Sequence, residues 1–197
     1  PYPGGPEISA LAEEARTLKS DSRNNGIEIN GIKPFVPSSL AHHENEFSRS
    51  HSLAGIKFPR PMLNSPDLDF SFSGLKTSVL YFLQKQKNLD GNLKKSISLE
   101  FEEAVTEVLI TKTKKAVEEL GIKSLIIGGG VSANRYLRKI FEMEFGKEIQ
   151  VHFPTQYLAT DNALMIAVAG YLTSLRGNKD DDNVKIKALG NMELGTK

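Results

Sequence analysis

The sequence predicts an α/β lobe with a parallel sheet segment. Three observations carry this expectation. Apolar residues recur at helical spacing in long runs, two short apolar strands stand at Leu125-Ile126-Ile127 and Ile149 to Phe153, and after Gly121 the order runs strand, helix, strand, helix. Parallel strands joined by a helix gather ligands at their carboxyl ends, so the segments leaving each strand are the first places to look for a site.

Taken in chain order, Glu7 to Leu18 places Ile8, Leu11, Ala12 and Ala15 on one helical face, with Pro6 suited to a first turn. From Lys19 to about Leu53 polar residues and the turn signals Asn24-Asn25-Gly26 and Asn30-Gly31 dominate. Residues 17–53 therefore read as a flexible polar insertion, with a small hairpin around Ile27 to Val36. Phe58-Pro59-Arg60-Pro61-Met62 reads as extended chain, because a residue before proline is pushed out of the helical region. Leu68-Asp69-Phe70-Ser71-Phe72 alternates with period two and predicts a strand, and Ser73 then caps a helix from Gly74 to Lys87. A longer helix spans Leu93 to Leu120 and stops at Gly121. Helices are expected again from Ala133 to Phe145 and from Asp161 to Leu175, and residues 177–197 read as a polar tail.

Composition narrows the function classes. At 197 residues with 39% apolar content, the chain has room for one domain or a large lobe, and a net charge of +1 neither demands nor excludes nucleic acid. The absence of cysteine rules out disulfides and thiolate metal sites and favours a cytoplasmic home. No apolar run approaches the roughly 20 residues that span a bilayer, so no membrane partner is expected. The chain opens at Pro1-Tyr2-Pro3-Gly4-Gly5-Pro6 without methionine, and it reads as a piece of a longer protein whose N-terminal part holds half of any active site.

The most informative run is Leu125-Ile126-Ile127-Gly128-Gly129-Gly130-Val131-Ser132-Ala133-Asn134-Arg135: a strand, three glycines, then helix. Glycines there let backbone N–H groups approach a ligand, and a helix N-terminus adds a positive dipole end; equally, glycines here only make a turn. Neither the G-x-G-x-x-G nor the G-x-x-x-x-G-K-[ST] spacing occurs, so a nucleotide bound here sits in neither of those folds. Asn134 caps the following helix or hydrogen-bonds a ribose or base edge. Asp161 is an N-cap of the last helix or a carboxylate metal ligand. Ser71, Ser73 and Lys76 could hold a phosphate, or only cap a strand end. Lys112, Lys114 and Lys115 complement a helix C-terminus or meet a tRNA backbone. His42, His43, His51 and His152 form no H-x-x-x-H or H-E-x-x-H pair, and His152 reads as a satisfied strand histidine. No serine-histidine-acid arrangement is legible, and no catalytic residue is assigned.

Four runs, in order, resemble one family: Tyr2-Pro3-Gly4-Gly5-Pro6; Phe58 to Met62 with Leu68 to Thr77; Gly129-Gly130-Val131-Ser132-Ala133-Asn134-Arg135; and Thr160-Asp161-Asn162-Ala163. They are similar to the C-terminal part of the TsaD family, the tRNA threonylcarbamoyladenosine transferases, over residues 1–16 and about 55–176. The resemblance implies an actin-like ATPase (ASKHA) fold, mainly its second RNase H-like lobe. It implies transfer of threonylcarbamoyl from threonylcarbamoyl-AMP to N6 of the anticodon-adjacent adenosine of tRNAs reading A-starting codons. Carried over by motif, Gly5 and Asn134 contact the adenylate and Gly129 and Gly130 shape its pocket. Ser9 stands where many members carry an aspartate that reaches the ribose. Asp161 becomes a ligand of one divalent metal ion, iron or zinc, which histidines outside this chain complete; the chain alone is therefore expected to be inactive. TsaB-like and TsaE-like proteins and tRNA are the implied partners. The competing expectation is a non-catalytic nucleotide-binding or scaffold subunit of the same fold, against which the metal carboxylate speaks. A peptidase has neither nucleophile nor complete zinc motif here.

Overall fold

The computed structural model describes residues 4–24 and 55–175, with the side chains of residues 19–24 excepted. They form two compact units divided between Ala159 and Thr160. In order, the first holds α1 (Gly5–Asn24), α2 (Ser73–Lys85), α3 (Gly91–Leu120), β1 (Ser124–Ile126), a 3-10 turn (Gly130–Ala133), α4 (Arg135–Phe145), β2 (Gln150–His152) and a second 3-10 turn (Gln156–Leu158). The second unit holds α5 (Ala163–Leu175).

Helix α3 is the element against which the rest of the first unit is built. Its start is fixed by Asp90, whose carboxylate accepts from the Leu93 N–H at 2.7 Å, and its end by Gly121 in the left-handed conformation. Along its length it meets three sets of neighbours. Ile97 and Ala104 pack with Ile56, Phe58 and Leu75, and with Val79, Phe82 and Leu83 of α2. Leu99 packs with Ala12 and Ala15 of α1, small residues that let the two backbones come close. Ile110 joins Leu137, Ile140, Phe141 and Phe145 of α4, packed with Leu125 and Val151 of the strands and with Ile127 and Phe153 just after them.

The strands are parallel, with Leu125 opposite Val151 and Ile126 opposite His152. Backbone bonds from Ile127 N to His152 O and from Gln150 N to Lys123 O extend the pairing by one step at each end. The parallel sheet, the long α3 and the helix between the strands match the sequence expectations.

Other elements depart from them. Helix α1 begins at Gly5 and continues to Asn24, so residues 17–24 of the expected insertion are helical; the remainder, with the hairpin around Ile27 to Val36, lies outside the described residues, as do residues 1–3 and the tail. Residues 68–72 form no strand. Alternation requires a neighbouring strand to become a ladder, and β1 and β2 pair only with each other among the described residues. Instead Asp67 accepts from the Asp69 N–H at 3.1 Å, bending the chain, and Phe70 and Phe72 lie ring to ring, 5.8 Å apart. Ser73 is the first residue inside α2, not its cap; Phe72 holds the cap position and makes no side-chain bond there. The helix ends at Lys85.

Candidate functional site

The two strand-end connections of the sheet lie on one side of the fold. After β1 the chain passes through Gly128 and Gly129, and Gly129 has φ 83° and ψ 168°, a conformation that residues with a Cβ avoid. The 3-10 turn then closes through Ser132 N to Gly129 O and Asn134 N to Val131 O. After β2 the chain leaves through Pro154. One side chain ties these exits: Arg138 of α4 donates to Ser132 O and, at 2.6 Å, to Pro154 O, and its guanidinium lies 4.9 Å from the centre of the Phe153 ring.

Asn134 sits where the glycine turn becomes α4. Its carbonyl oxygen accepts from the Leu137 N–H at 2.8 Å, so it is the helix cap. Its amide nitrogen also donates to Ser9 Oγ at 2.9 Å and to Glu102 Oε1 at 2.6 Å. Both donors are thereby used, leaving one carbonyl lone pair for a ligand. Ser9 accepts from Asn134, which leaves its own hydroxyl hydrogen free to point elsewhere.

Gly5 lies one helical turn before Ser9 on α1. A Cβ added at Gly5, Gly128 or Gly129 would meet nothing within 4 Å, so these backbones border open space. Gly4 and Gly5 supply no capping side chain to the start of α1, and Pro6 has no N–H, so the first-turn amides of Gly5 and Glu7 offer donors beside a positive dipole end. The structure thus brings together Ser9 and Asn134, with Gly5 one turn away on α1 and Gly129 and Gly130 in the turn that precedes Asn134.

Behind this cluster lies a second layer that sequence reasoning missed. Glu102 is buried and bridges Asn134 to Arg16 of α1, whose Nη2 donates to Glu102 Oε2 at 2.6 Å. The Arg16 guanidinium lies 3.5 Å above the Tyr136 ring. Burial pushes the Tyr136 hydroxyl well above its ordinary value, and Glu103 adds to the shift. Two residues earlier, Glu100 is fully buried; its Oε1 accepts from Phe58 N and from Arg60 Nη1, while its Oε2 has no hydrogen-bond partner. Arg60 also donates through Nε to Glu107 at 2.8 Å. Burial works against the charge of Arg60, but Glu100 and Glu107 outweigh it and hold its pKa above the ordinary value. Glu107 is raised above the carboxylate range, by burial first, with Arg60 opposing. Glu100 falls on the apolar stripe with Ile97 and Ala104, and an acid at such a position was the available signal.

The lysines near the end of α3 lie before its last turn and bond to neighbouring segments, not to the carbonyls of the helix end. Lys112 is buried and donates to Ser65 O and Oγ and to Asp67 O, Lys114 pairs with Glu144, and Lys115 donates to Pro66 O. They pin the 65–67 loop and α4 to α3. His152 ends β2 with its ring exposed, and the Ser71 hydroxyl reaches only the Ser73 N–H, at 3.4 Å.

Asp161 belongs to the second unit. There the cap of α5 is Asn162, whose Oδ1 accepts from Met165 N at 2.9 Å, so the Asp161 carboxylate is not the cap that its position suggests. Among the described residues no group of three or more His, Cys, Asp or Glu could hold a metal ion, and these residues alone do not build a metal centre. No described helix is long and apolar enough to cross a membrane.

Comparison with known proteins adds an independent line. The profile of the TsaD family, described as tRNA N6-adenosine threonylcarbamoyltransferase, matches residues 28–168. Its match opens inside the polar span that the motif resemblance had left out. A protein of that name from Desulfotalea psychrophila is 44% identical over 165 residues, 80% of this chain and 46% of the relative. One from Thermosipho africanus is 37% identical over 194 residues, 98% of this chain and 47% of its own. One from Francisella philomiragia is 36% identical over 191 residues, 95% and 46% of the two chains. The chain spans about half the length of the curated relatives it matches.

Proposed function

The chain belongs to the TsaD family, and on that premise we propose that it forms the adenylate-binding part of an enzyme that makes N6-threonylcarbamoyladenosine in tRNA. The observation that carries the reading is the meeting of Ser9 and Asn134. Two motifs that the family resemblance assigns to one ligand, 125 positions apart in sequence, share a hydrogen bond beside open glycine backbone.

In this reading the adenylate lies against the glycine turn. The free amides at the start of α1 face its phosphate, where the dipole end and the lack of side chains favour a negative group. The Ser9 hydroxyl donates to the ribose, and Asn134 accepts one further bond. The N6 amine of the tRNA adenosine attacks the carbamoyl carbon, the N6–C bond forms, the C–O bond to phosphate breaks, AMP leaves with the electron pair, and the proton lost from N6 goes to the departing phosphate or to solvent. Fixing the adenylate holds that leaving group in place while the amine approaches.

Asp161 would supply one anionic oxygen to a divalent ion, iron or zinc, with histidines that this chain does not contain. No step is assigned to that ion. The fold that suits this role is the second RNase H-like lobe of an actin-like ATPase. The reaction takes place in the cytoplasm, with TsaB-like and TsaE-like proteins as partners.

The test is the N6-threonylcarbamoyladenosine content of tRNA, measured by mass spectrometry of nucleosides, from cells whose gene carries Asn134→Ala or Asp161→Ala. Both should lose the modified nucleoside. Unchanged modification in Asn134→Ala cells sinks the adenylate assignment, and unchanged modification in Asp161→Ala cells sinks the metal assignment.

A further inference from the structure

Glu102 is a buried carboxylate that α3 places beneath the candidate pocket, and its two oxygens serve two different elements. Oε1 accepts from the Asn134 amide at 2.6 Å and Oε2 from Arg16 at 2.6 Å. An Asn amide at a helix cap is symmetrical enough to flip, and a flip here would put its nitrogen against the Leu137 N–H, donor to donor. The carboxylate, an acceptor only, admits one orientation: nitrogen toward Glu102 and Ser9, oxygen toward Leu137. Through Arg16 the same residue holds α1, and with it Gly5 and Ser9, against the turn. Arg16 in turn places a positive charge on a buried anion that would otherwise repel a nucleotide phosphate.

Resting on the adenylate reading, we infer that Glu102 is the positioning residue of the pocket: it locks the Asn134 amide toward Ser9, and the Glu102–Arg16 pair keeps the site receptive to an anionic nucleotide. Neither residue need touch the ligand.

The experiment uses the full 197-residue chain, with AMP and adenosine as probes in titration calorimetry and the Asn134 side-chain amide followed by NMR without ligand. In Glu102→Ala the Asn134 amide protons should lose their slow exchange and shift, and AMP affinity should fall about tenfold or more, the scale of one charged hydrogen bond. Glu102→Gln retains a carbonyl acceptor and should preserve the Asn134 signals while releasing Arg16. It also guards against a folding defect in the alanine variant. Arg16→Met should weaken AMP more than adenosine, which a loss of packing alone would not do. Wild-type Asn134 signals in Glu102→Ala would overturn the positioning role, and equal losses for AMP and adenosine in Arg16→Met would overturn the charge-cancelling role. A wild-type chain that binds no AMP would instead sink the pocket reading, while the ligand-free Asn134 signals still decide the part played by Glu102.

Discussion

The side-chain amide of Asn134 donates to the Ser9 hydroxyl at 2.9 Å, joining the first helix to the turn after the first strand. The bond exists because α1 packs Ala12 and Ala15 against Leu99 of α3, which brings the preceding turn of α1 up to the start of α4. The orientation of the Asn134 side chain is therefore tied to the docking of α1.

That coupling separates two substitutions. Asn134→Ala removes the cap of α4 and the link to Ser9, and should destabilise the first unit by about 1–2 kcal/mol. Asn134→Asp keeps the capping oxygen but loses both donors and sets a second carboxylate against Glu102. It should cost more than alanine, on the order of 3 kcal/mol, because a buried charge is left facing a like charge. Urea denaturation of both variants ranks them, and an aspartate variant more stable than the alanine one would contradict the donor assignment.

Arg60 and Glu100 form a deeply buried ion pair in the first unit, and Glu100 already has one oxygen unpartnered. Arg60→Met would leave that buried carboxylate without its counter-charge and with the Phe58 N–H as its remaining donor, an expected loss of about 3–5 kcal/mol. Adding Glu100→Gln should recover a large part of it, since the stranded charge is then gone. A double-mutant cycle by urea denaturation measures the coupling, and additive effects would show that the pair is not the origin of the loss.

How much of this was legible in the sequence depends on the range of the interaction. Asp90 and Gly121 bound α3 through bonds to their own neighbours, and local residue types announce such caps. The parallel strands were legible because each is a short apolar run with turn chemistry after it. The strand expected at Leu68 to Phe72 failed because a period of two records only an extended chain, whereas a ladder needs a partner that the local sequence does not specify. Glu102 and Glu100 were missed, and Lys112 was given other partners, for the same reason: their partners lie 32 to 86 positions away, at Asn134 and Arg16, or 40 to 47 away, at Arg60 and Ser65. Asn134 was singled out by its place after the glycine turn and Gly5 and Ser9 by motif resemblance, and local periodicity gave no sign that Ser9 and Asn134 meet.

Glu107 should make stability depend on pH in a definite direction. Its folded pKa lies above the ordinary carboxylate value, so the folded protein binds that proton more tightly than the unfolded chain. Its contribution is therefore full at low pH and is lost as pH rises from the ordinary value through the folded one. Asp67 runs the other way: its bonds to Ser65 and Lys112 hold it below the usual range, and its contribution is lost on acidification. Glu107→Gln removes only the first effect. The stability of the variant minus that of the wild type should grow with rising pH across this window and then level off, and a difference that is flat with pH would disprove the assignment.

Lys112 donates from a buried position to four oxygens of residues 65–67: the Ser65 carbonyl and hydroxyl and the Asp67 carbonyl and carboxylate. Lys112→Met keeps the stem but leaves the Ser65 and Asp67 carbonyls without that donor, an expected loss of about 1–3 kcal/mol. Hydrogen exchange should quicken at Asp69, whose N–H is held by the Asp67 side chain, and at Ser65, while α4 amides keep their protection. Unchanged exchange at both sites would mean that the loop holds itself.

Gly129 separates backbone strain from crowding. Its φ of 83° with ψ of 168° is glycine territory, yet a Cβ there would meet no atom within 4 Å. Gly129→Ala should therefore cost about 1–3 kcal/mol through the backbone alone, or turn the peptide until the strain is relieved. Relief would redirect the Gly129 carbonyl that accepts from Ser132 N and open the 3-10 turn leading to Asn134. If the proposed adenylate site is right, the variant should lose AMP affinity by more than its stability loss would suggest, because the methyl group also enters the open face at Gly129. A comparison with Gly121→Ala isolates this second effect: that residue also has a positive φ, but it ends α3 and borders neither Ser9 nor Asn134. If both variants are destabilised and bind AMP equally well, the glycine turn is a structural corner and the ligand lies elsewhere.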